Sequence, residues 1–205
     1  MMITDAMFQD ALGELLNMGL GQAADALSQM AAEEVHLSLP QVELCDEAQI
    51  EAYARVQFPG QITAIAQGFK GPINGEGLLI FPDENSHRLV HALLNDGGNR
   101  AELTELEYEA LSEVGNIILN ACLAAFADTF NIELNTNLPR WFQGDNNSLM
   151  GQIRSQGRRQ FIMVQIDFSL QESRSQGCVM FILAASAVES LRNLLGEMLM
   201  GAMAH

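Results

Sequence analysis

Glu14-Leu-Leu-Asn17-Met-Gly-Leu-Gly-Gln-Ala-Ala-Asp-Ala-Leu27, running on to Val35-His-Leu-Ser-Leu-Pro40, has a second copy later in the chain. The copy reads Glu113-Val-Gly-Asn116-Ile-Ile-Leu-Asn-Ala-Cys-Leu-Ala-Ala-Phe126, then Ile132-Glu-Leu-Asn-Thr-Asn-Leu-Pro139. Positions 14, 17 and 40 become 113, 116 and 139, a shift of 99 residues each time. A duplication is the simplest explanation. The repeated residues include a carboxylate and a carboxamide on a helix surface, where packing alone makes no demand on side-chain chemistry.

Each copy reads as one long helix followed by one strand. Leu12, Leu16, Gly19, Ala23, Ala26 and Met30 recur at spacings of three and four, as do Leu111, Val114, Ile118, Ala121 and Ala125, which predicts two helices laid on a core. Asp10, Glu14 and Asn17 fall at i, i+4 and i+7 and share one stripe; Glu109, Glu113 and Asn116 repeat it. Asn inside a helix costs roughly half a kcal/mol relative to Ala, because its side chain competes for backbone hydrogen bonds. A lone Glu-x-x-Asn is the solvated side of an amphipathic helix. Its recurrence at a fixed offset, with a proline at a matching distance downstream, favours a function.

Asp10-x-x-x-Glu14-x-x-Asn17, the later Pro40 and the second copy resemble the signature of the CheC/CheX/FliY family of response-regulator phosphatases of bacterial chemotaxis, with two copies in one chain most similar to CheC-like members. The tracts Asn17 to Ser28 and Glu113-Val-Gly-Asn116-Ile are also similar to that family. Two positions depart from the pattern: Glu109 stands where Asp or Ser is usual, and Leu16 where Gly often precedes the Asn.

The resemblance implies a substrate, the phospho-aspartate of a CheY-like response regulator, and a partner that brings its own Mg²⁺ and lysine. Phosphoryl transfer is accelerated mainly by placing the nucleophile in line and stabilising charge on the equatorial oxygens. The partner's ion and lysine supply the second, so a carboxamide that orients water is enough for the first. Asn17 and Asn116 take that role, Glu14 and Glu113 pair with the regulator's lysine, and Asp10 and Glu109 are secondary contacts. No cofactor or metal of the chain's own is expected. The resemblance also admits a CheD-like deamidase as a partner. A competing reading is a non-catalytic binding module, like the flagellar-switch scaffolds related to the family; two intact Glu-x-x-Asn pairs favour the phosphatase. Both copies are expected to act, independently and on separate surfaces.

The remaining composition agrees. No Ser/His/Asp arrangement, cysteine-nucleophile signature, phosphate-binding glycine loop or zinc spacing appears. His87 and His91, at i and i+4, lack a third ligand and read as solvated helix residues. A net charge of −16 argues strongly against a nucleic-acid partner. The only basic cluster, Arg154, Arg158 and Arg159, reads as a loop before a strand. The start of the chain lacks the basic and apolar regions of a signal peptide, no run of eighteen apolar residues appears, and three irregularly spaced cysteines fit a reducing compartment, so a cytoplasmic protein away from membranes is expected.

Between the copies, Gln61-Ile-Thr-Ala-Ile-Ala-Gln and Gly77 to Pro82 predict a hairpin, matched by Gln160 to Ser169 and Gly177 to Leu183. Helices follow near 85–94 and 185–200, the second ending in Met198, Met200 and Met203, read as core filler or a fraying end. Asp96 to Asn99 is the expected hinge, and Thr104 with Glu107 a capping box opening the second motif helix. Each half therefore reads helix, strand, hairpin, helix. The expected fold is α+β: one domain, 1–205, built of repeats 1–98 and 99–205 under a pseudo-twofold axis, with two long exposed motif helices packed on a mainly antiparallel sheet.

Overall fold

The long strands alternate, and the two parities of side chain bury against different layers. On one face Ile65, Phe69, Leu79, Phe81, Ile162, Val164, Ile166, Phe168, Val179, Phe181 and Leu183 join one core; on the other Ile62, Ala64, Leu78, Ile80, Phe161, Met163, Cys178, Met180 and Ile182 join a second. A strand apolar on both faces must be covered on both, and helices do this here. The computed structural model describes residues 4–31, 34–38, 41–94, 104–154, 159–170 and 173–203.

The first half runs α1 (Asp5–Ala31), β1 (Val35–Leu37), β2 (Gln41–Cys45), α2 (Glu47–Gln57), β3 (Gln61–Lys70), β4 (Gly75–Pro82) and α3 (Asp83–Leu94). The second repeats that order as α4 (Glu105–Phe130), β5 (Asn135–Thr136), β6 (Arg140–Asp145), α5 (Asn146–Arg154), β7 (Arg159–Leu170), β8 (Ser173–Ala184) and α6 (Ala185–Met203). All eight strands form one antiparallel sheet in the order β1-β7-β8-β4-β3-β5, with β2 also on β7 and β6 also on β3. The fold is thus α+β with an internal duplication, as expected.

The register carries the same symmetry as the sequence. Gln41 lies opposite Gln165 and Arg140 opposite Ala66, each pair being the other shifted by 99 positions. Leu37 opposite Phe168 and Thr136 opposite Phe69 repeat the relation. Each half lends its two short strands to the other half's hairpin. The hairpins meet where Leu79 faces Val179 across β4 and β8, so neither half owns a complete sheet.

Three expectations need correction. The motif helices do not lie on separate surfaces: α1 and α4 pack against each other on one face of the sheet, with α3 and α6 beside them. At their contact Gly19 has the backbone of Ala121 and Cys122 where a Cβ would stand, 2.7 Å from the Ala121 oxygen. Second, each half contains a further strand and helix before its hairpin. Helix α2 opens on a capping box in which Asp46 accepts from Gln49 N and the Gln49 side chain accepts from Asp46 N, both at 2.9 Å; α2 and α5 cover the second core. Third, His87 and His91 are not solvated: their side chains are mostly buried, His87 3.7 Å from Asp83 and His91 3.6 Å from Glu107.

The Thr104–Glu107 capping box is formed, with Thr104 Oγ1 accepting from Glu107 N and the Glu107 carboxylate from Thr104 N. Arg154 closes α5 and Arg159 opens β7; between them residues 155–158 lie outside the described residues, as do Pro40, the expected boundary at 98 and 99, and the Asp96 to Asn99 hinge. Met198 packs against the first core. The side chains of Met200 and Met203 are not among those described. Helix α4 is long and apolar enough to cross a bilayer by composition, but here that composition belongs to a core helix that buries Leu111, Val114, Ile118, Leu119, Cys122 and Phe126.

All three cysteines are buried. Burial pushes the thiols of Cys122 and Cys178 up to about 12, and burial, with Glu43 and Asp46 nearby, pushes Cys45 up to about 11, from an ordinary 9.0. Because the folded-state values are raised, the stability these neutral thiols contribute is complete below about pH 9 and is lost as pH climbs through that range. A thiol reagent at about pH 8 is therefore expected to label none of the three until denaturant opens the cores. Rapid native-state labelling of Cys122 or Cys178 would contradict the packing described.

Candidate functional site

Helix α1 is bedded in the core by Phe8, Leu12, Leu15, Leu16, Gly19, Leu20, Ala23 and Leu27. That leaves Asp10 and Glu14 exposed and Asn17 half-buried at the edge of the same stripe. Helix α4 is bedded through Leu111, Val114, Gly115, Ile118 and Leu119, leaving Glu109 and Glu113 exposed and Asn116 half-buried. All six residues singled out in the sequence thus sit on the outer flanks of two rigid helices, acid and amide one turn apart in each. Neither Glu14 nor Glu113 forms an ion pair with a described basic residue, so both carboxylates are open to an incoming cation.

The two copies part company in what surrounds the amide. A Cβ on Gly115 would stand 2.5 Å from the Ile65 side chain, so α4 lies directly on β3 beside Asn116, a close approach only glycine permits. Copy one has Leu16 there, itself fully buried. Across the close approach, Gln67 of β3, 1 % exposed, reaches α4 from below. Its Nε2 donates to the Asn137 carbonyl at 3.0 Å, to Asn120 Oδ1 at 3.2 Å and, more weakly, to Asn116 Oδ1 at 3.4 Å. Asn120 Nδ2 donates to Asn116 Oδ1 at 2.7 Å. Asn17 makes no side-chain hydrogen bond to a described residue.

Copy two also carries an aromatic platform. Tyr108 stacks on Trp141 with centroids 4.2 Å apart and planes 16° apart, although Trp141 is 51 % exposed. The Tyr108 hydroxyl donates to Gln143 Oε1 at 2.7 Å. Tyr108, Glu109, Glu113, Pro139 and Trp141 border an open depression of about 540 Å³ on the outer side of α4. The 99-residue shift places Gln9 and Val42 at these aromatic positions in copy one, so the platform has no counterpart there.

Gln67, Asn120, Tyr108 and Trp141 were not singled out from the sequence. Two signals were present: Gln67 sits between Ile65 and Phe69 on the core-facing parity of its strand, and Asn120 is a second mid-helix Asn four residues after the first. Among the described residues no group of three or more His, Cys, Asp or Glu side chains is arranged to hold a metal ion.

No protein-family model matches the chain. Among curated proteins it is 25 % identical over 134 residues to the CheY-P phosphatase CheC of Bacillus subtilis (strain 168), 63 % of this chain and 63 % of that protein. It is 24 % identical over 136 residues to the flagellar motor switch phosphatase FliY of the same organism, 65 % of this chain and 35 % of that one. The chain thus spans about a third of the one relative and under two thirds of the other. Among solved structures it superposes on Thermotoga maritima FliY with a TM-score of 0.77 at 15 % identity, over 97 % of this chain and 100 % of that one. A FliG–FliM complex from H. pylori gives 0.68 at 13 % identity, over 93 % and 100 %. In fold and in its most similar relatives the chain is thus similar to proteins of the CheC/CheX/FliY kind.

Proposed function

We propose that this protein is a phosphatase of chemotaxis signalling that hydrolyses the phospho-aspartate of a CheY-like response regulator. The observation that carries the reading is the placement of Glu14 with Asn17, and of Glu113 with Asn116, outside the core on helices whose other faces are locked in it. An amide on such a helix can enter a partner's active site without reorganising the fold, and reaching in-line geometry is the main task in this chemistry. The glutamate one turn away meets the regulator's lysine and sets the depth of entry. The regulator supplies Mg²⁺, which neutralises charge on the phosphoryl oxygens; this chain contributes only position and a polar amide. Such a division needs no nucleophile, base or metal here, and the protein would act where response regulators act, in the cytoplasm.

Decay of phosphorylated regulator with and without the protein tests the reading directly. Acceleration that persists when free Mg²⁺ has been set at the regulator's own saturation supports it; no acceleration removes it. The glutamates predict a binding effect. Glu14→Lys with Glu113→Lys places like charge against the regulator's lysine, so affinity for a regulator carrying a stable phosphate mimic should drop on the order of tenfold or more, mostly in the dissociation rate. Unchanged affinity would mean that the glutamates do not anchor.

The likeness to FliM favours one other reading, a switch component that binds without catalysing. A CheD-like deamidase partner belongs with that reading or beside the phosphatase. The two separate on the amides: a scaffold tolerates their loss, while a phosphatase does not.

A further inference from the structure

We propose that Gln67 and Asn120 hold Asn116 with its carbonyl turned inward, so that the second site presents an amide donor while only Asn17 is free to accept from a nucleophilic water. The inference deepens the proposed phosphatase reading and rests on it for its catalytic consequence.

The chain of orientation starts from a group that cannot turn over. The Asn137 carbonyl is an acceptor, so the Gln67 side chain must offer it Nε2 rather than Oε1. Nε2 then also meets Asn120 Oδ1 and Asn116 Oδ1, which fixes both asparagines with oxygen toward Gln67. Asn120 Nδ2 completes the set by donating to Asn116 Oδ1 at 2.7 Å. Gln67 Nε2 has two hydrogens for three acceptors, so its 3.4 Å contact to Asn116 is a shared, weak arm, and the 2.7 Å bond from Asn120 is what chiefly turns the Asn116 carbonyl inward. Asn116 Nδ2 gives no bond to a described acceptor and is the part of the amide left for a partner. Gln67 Oε1 is buried and has no hydrogen-bond partner among the described residues.

None of this exists in copy one. The 99-residue shift takes Gln67 to Ile166 and Asn120 to Gly21, an apolar core residue and a residue with no side chain. The duplicated signature has therefore been kept while the surroundings of its amide diverged. The difference matters because an attacking water must keep a lone pair for phosphorus. It is oriented well by an acceptor that takes one of its protons, and poorly by a donor that occupies that lone pair. Turning the Asn116 carbonyl outward breaks the Asn120 bond and the weak Gln67 contact, which lowers the competent fraction by up to about tenfold. Gln67 and Asn120 are positioning residues. They touch the amide and never the substrate.

The test isolates the second site with Asn17→Ala and then loosens the lock. In that background Asn120→Ala should raise kcat for phospho-regulator decay by up to about tenfold, and separately Gln67→Leu by less, with KM unchanged. A structural role alone would lower the rate, so a gain is diagnostic. Asn120→Ala lies on a half-exposed helix position where alanine is favourable, so it remains informative should Gln67→Leu not fold. A rate equal to or below that of Asn17→Ala, in folded protein, overturns the proposal. A second arm needs no catalysis: the side-chain amide resonances of Asn116, identified by their loss in Asn116→Ala, should shift when Asn120 becomes Ala. Absence of that shift overturns the lock. An inactive parent protein with the shift intact would instead remove the phosphatase reading and keep the lock.

Discussion

Asn17→Ala combined with Asn116→Ala should return phospho-aspartate decay to the regulator's own rate while leaving the protein folded. The expected loss is on the order of 100-fold or the whole acceleration, since misplacing the attacking group is enough to forfeit that much. Stability should barely change, for opposing reasons at the two positions. At Asn17 no hydrogen bond to a described residue is lost and a poor helix former is replaced by the best, a gain of roughly half a kcal/mol. At Asn116 a similar gain is offset by the acceptor taken from Asn120 and Gln67, at a cost of about 1 kcal/mol. Full activity in the folded double variant would end the mechanism. The single variants add the finer comparison: the sequence expects equal and additive copies, whereas the locked Asn116 expects Asn17→Ala to cost more.

Gly19→Leu should be the most damaging single change on α1. The added Cβ alone would stand 2.7 Å from the Ala121 oxygen and 3.0 Å from the Cys122 Cα, both backbone atoms of the neighbouring helix that cannot swing aside. Helices α1 and α4 would have to separate where they touch most closely, at a cost of about 3 kcal/mol or more. That is a large share of a normal folding free energy. Gly21→Leu is the control: nothing lies within 4 Å of its Cβ position, and it should hold or slightly raise stability. Equal urea midpoints for the two variants would show that the helices are not in the contact described.

Much of the fold was legible because it rests on local periodicity. The 3.6-residue pattern around Leu12, Leu16 and Ala23, and its repeat around Leu111, Val114 and Ile118, marks helices whatever they pack on. Alternation in Gln61 to Gln67 and Phe161 to Phe168 marks strands in the same way. Helices α2 and α5 escaped because they are short and weakly apolar, α2 contributing only Ile50 and Ala54 to the second core and α5 only Leu149, Met150 and Ile153. The short strands β1, β2, β5 and β6 pair with the opposite half, and no local pattern announces a partner more than a hundred residues away or belonging to another repeat.

The candidate site divides along the same line. The acid and amide stripes were readable from spacing alone, because i, i+4 and i+7 share a helix face in any context. That both helices lie side by side, rather than on separate surfaces, depends on the two hairpins joining through β4 and β8 and carrying α1 and α4 to one face of a common sheet. So does the difference between Asn17 and Asn116: Gln67 lies 49 positions before Asn116 and reaches it only because Gly115 lets α4 rest on Ile65. By itself, the sequence determined the duplication, the helices and the outward chemistry of each copy, since these follow from local spacing. Only the tertiary structure decided which amide is tied and which is free, because that depends on hydrogen bonds between residues distant along the chain, and a duplicated pattern looks the same in both copies until they form.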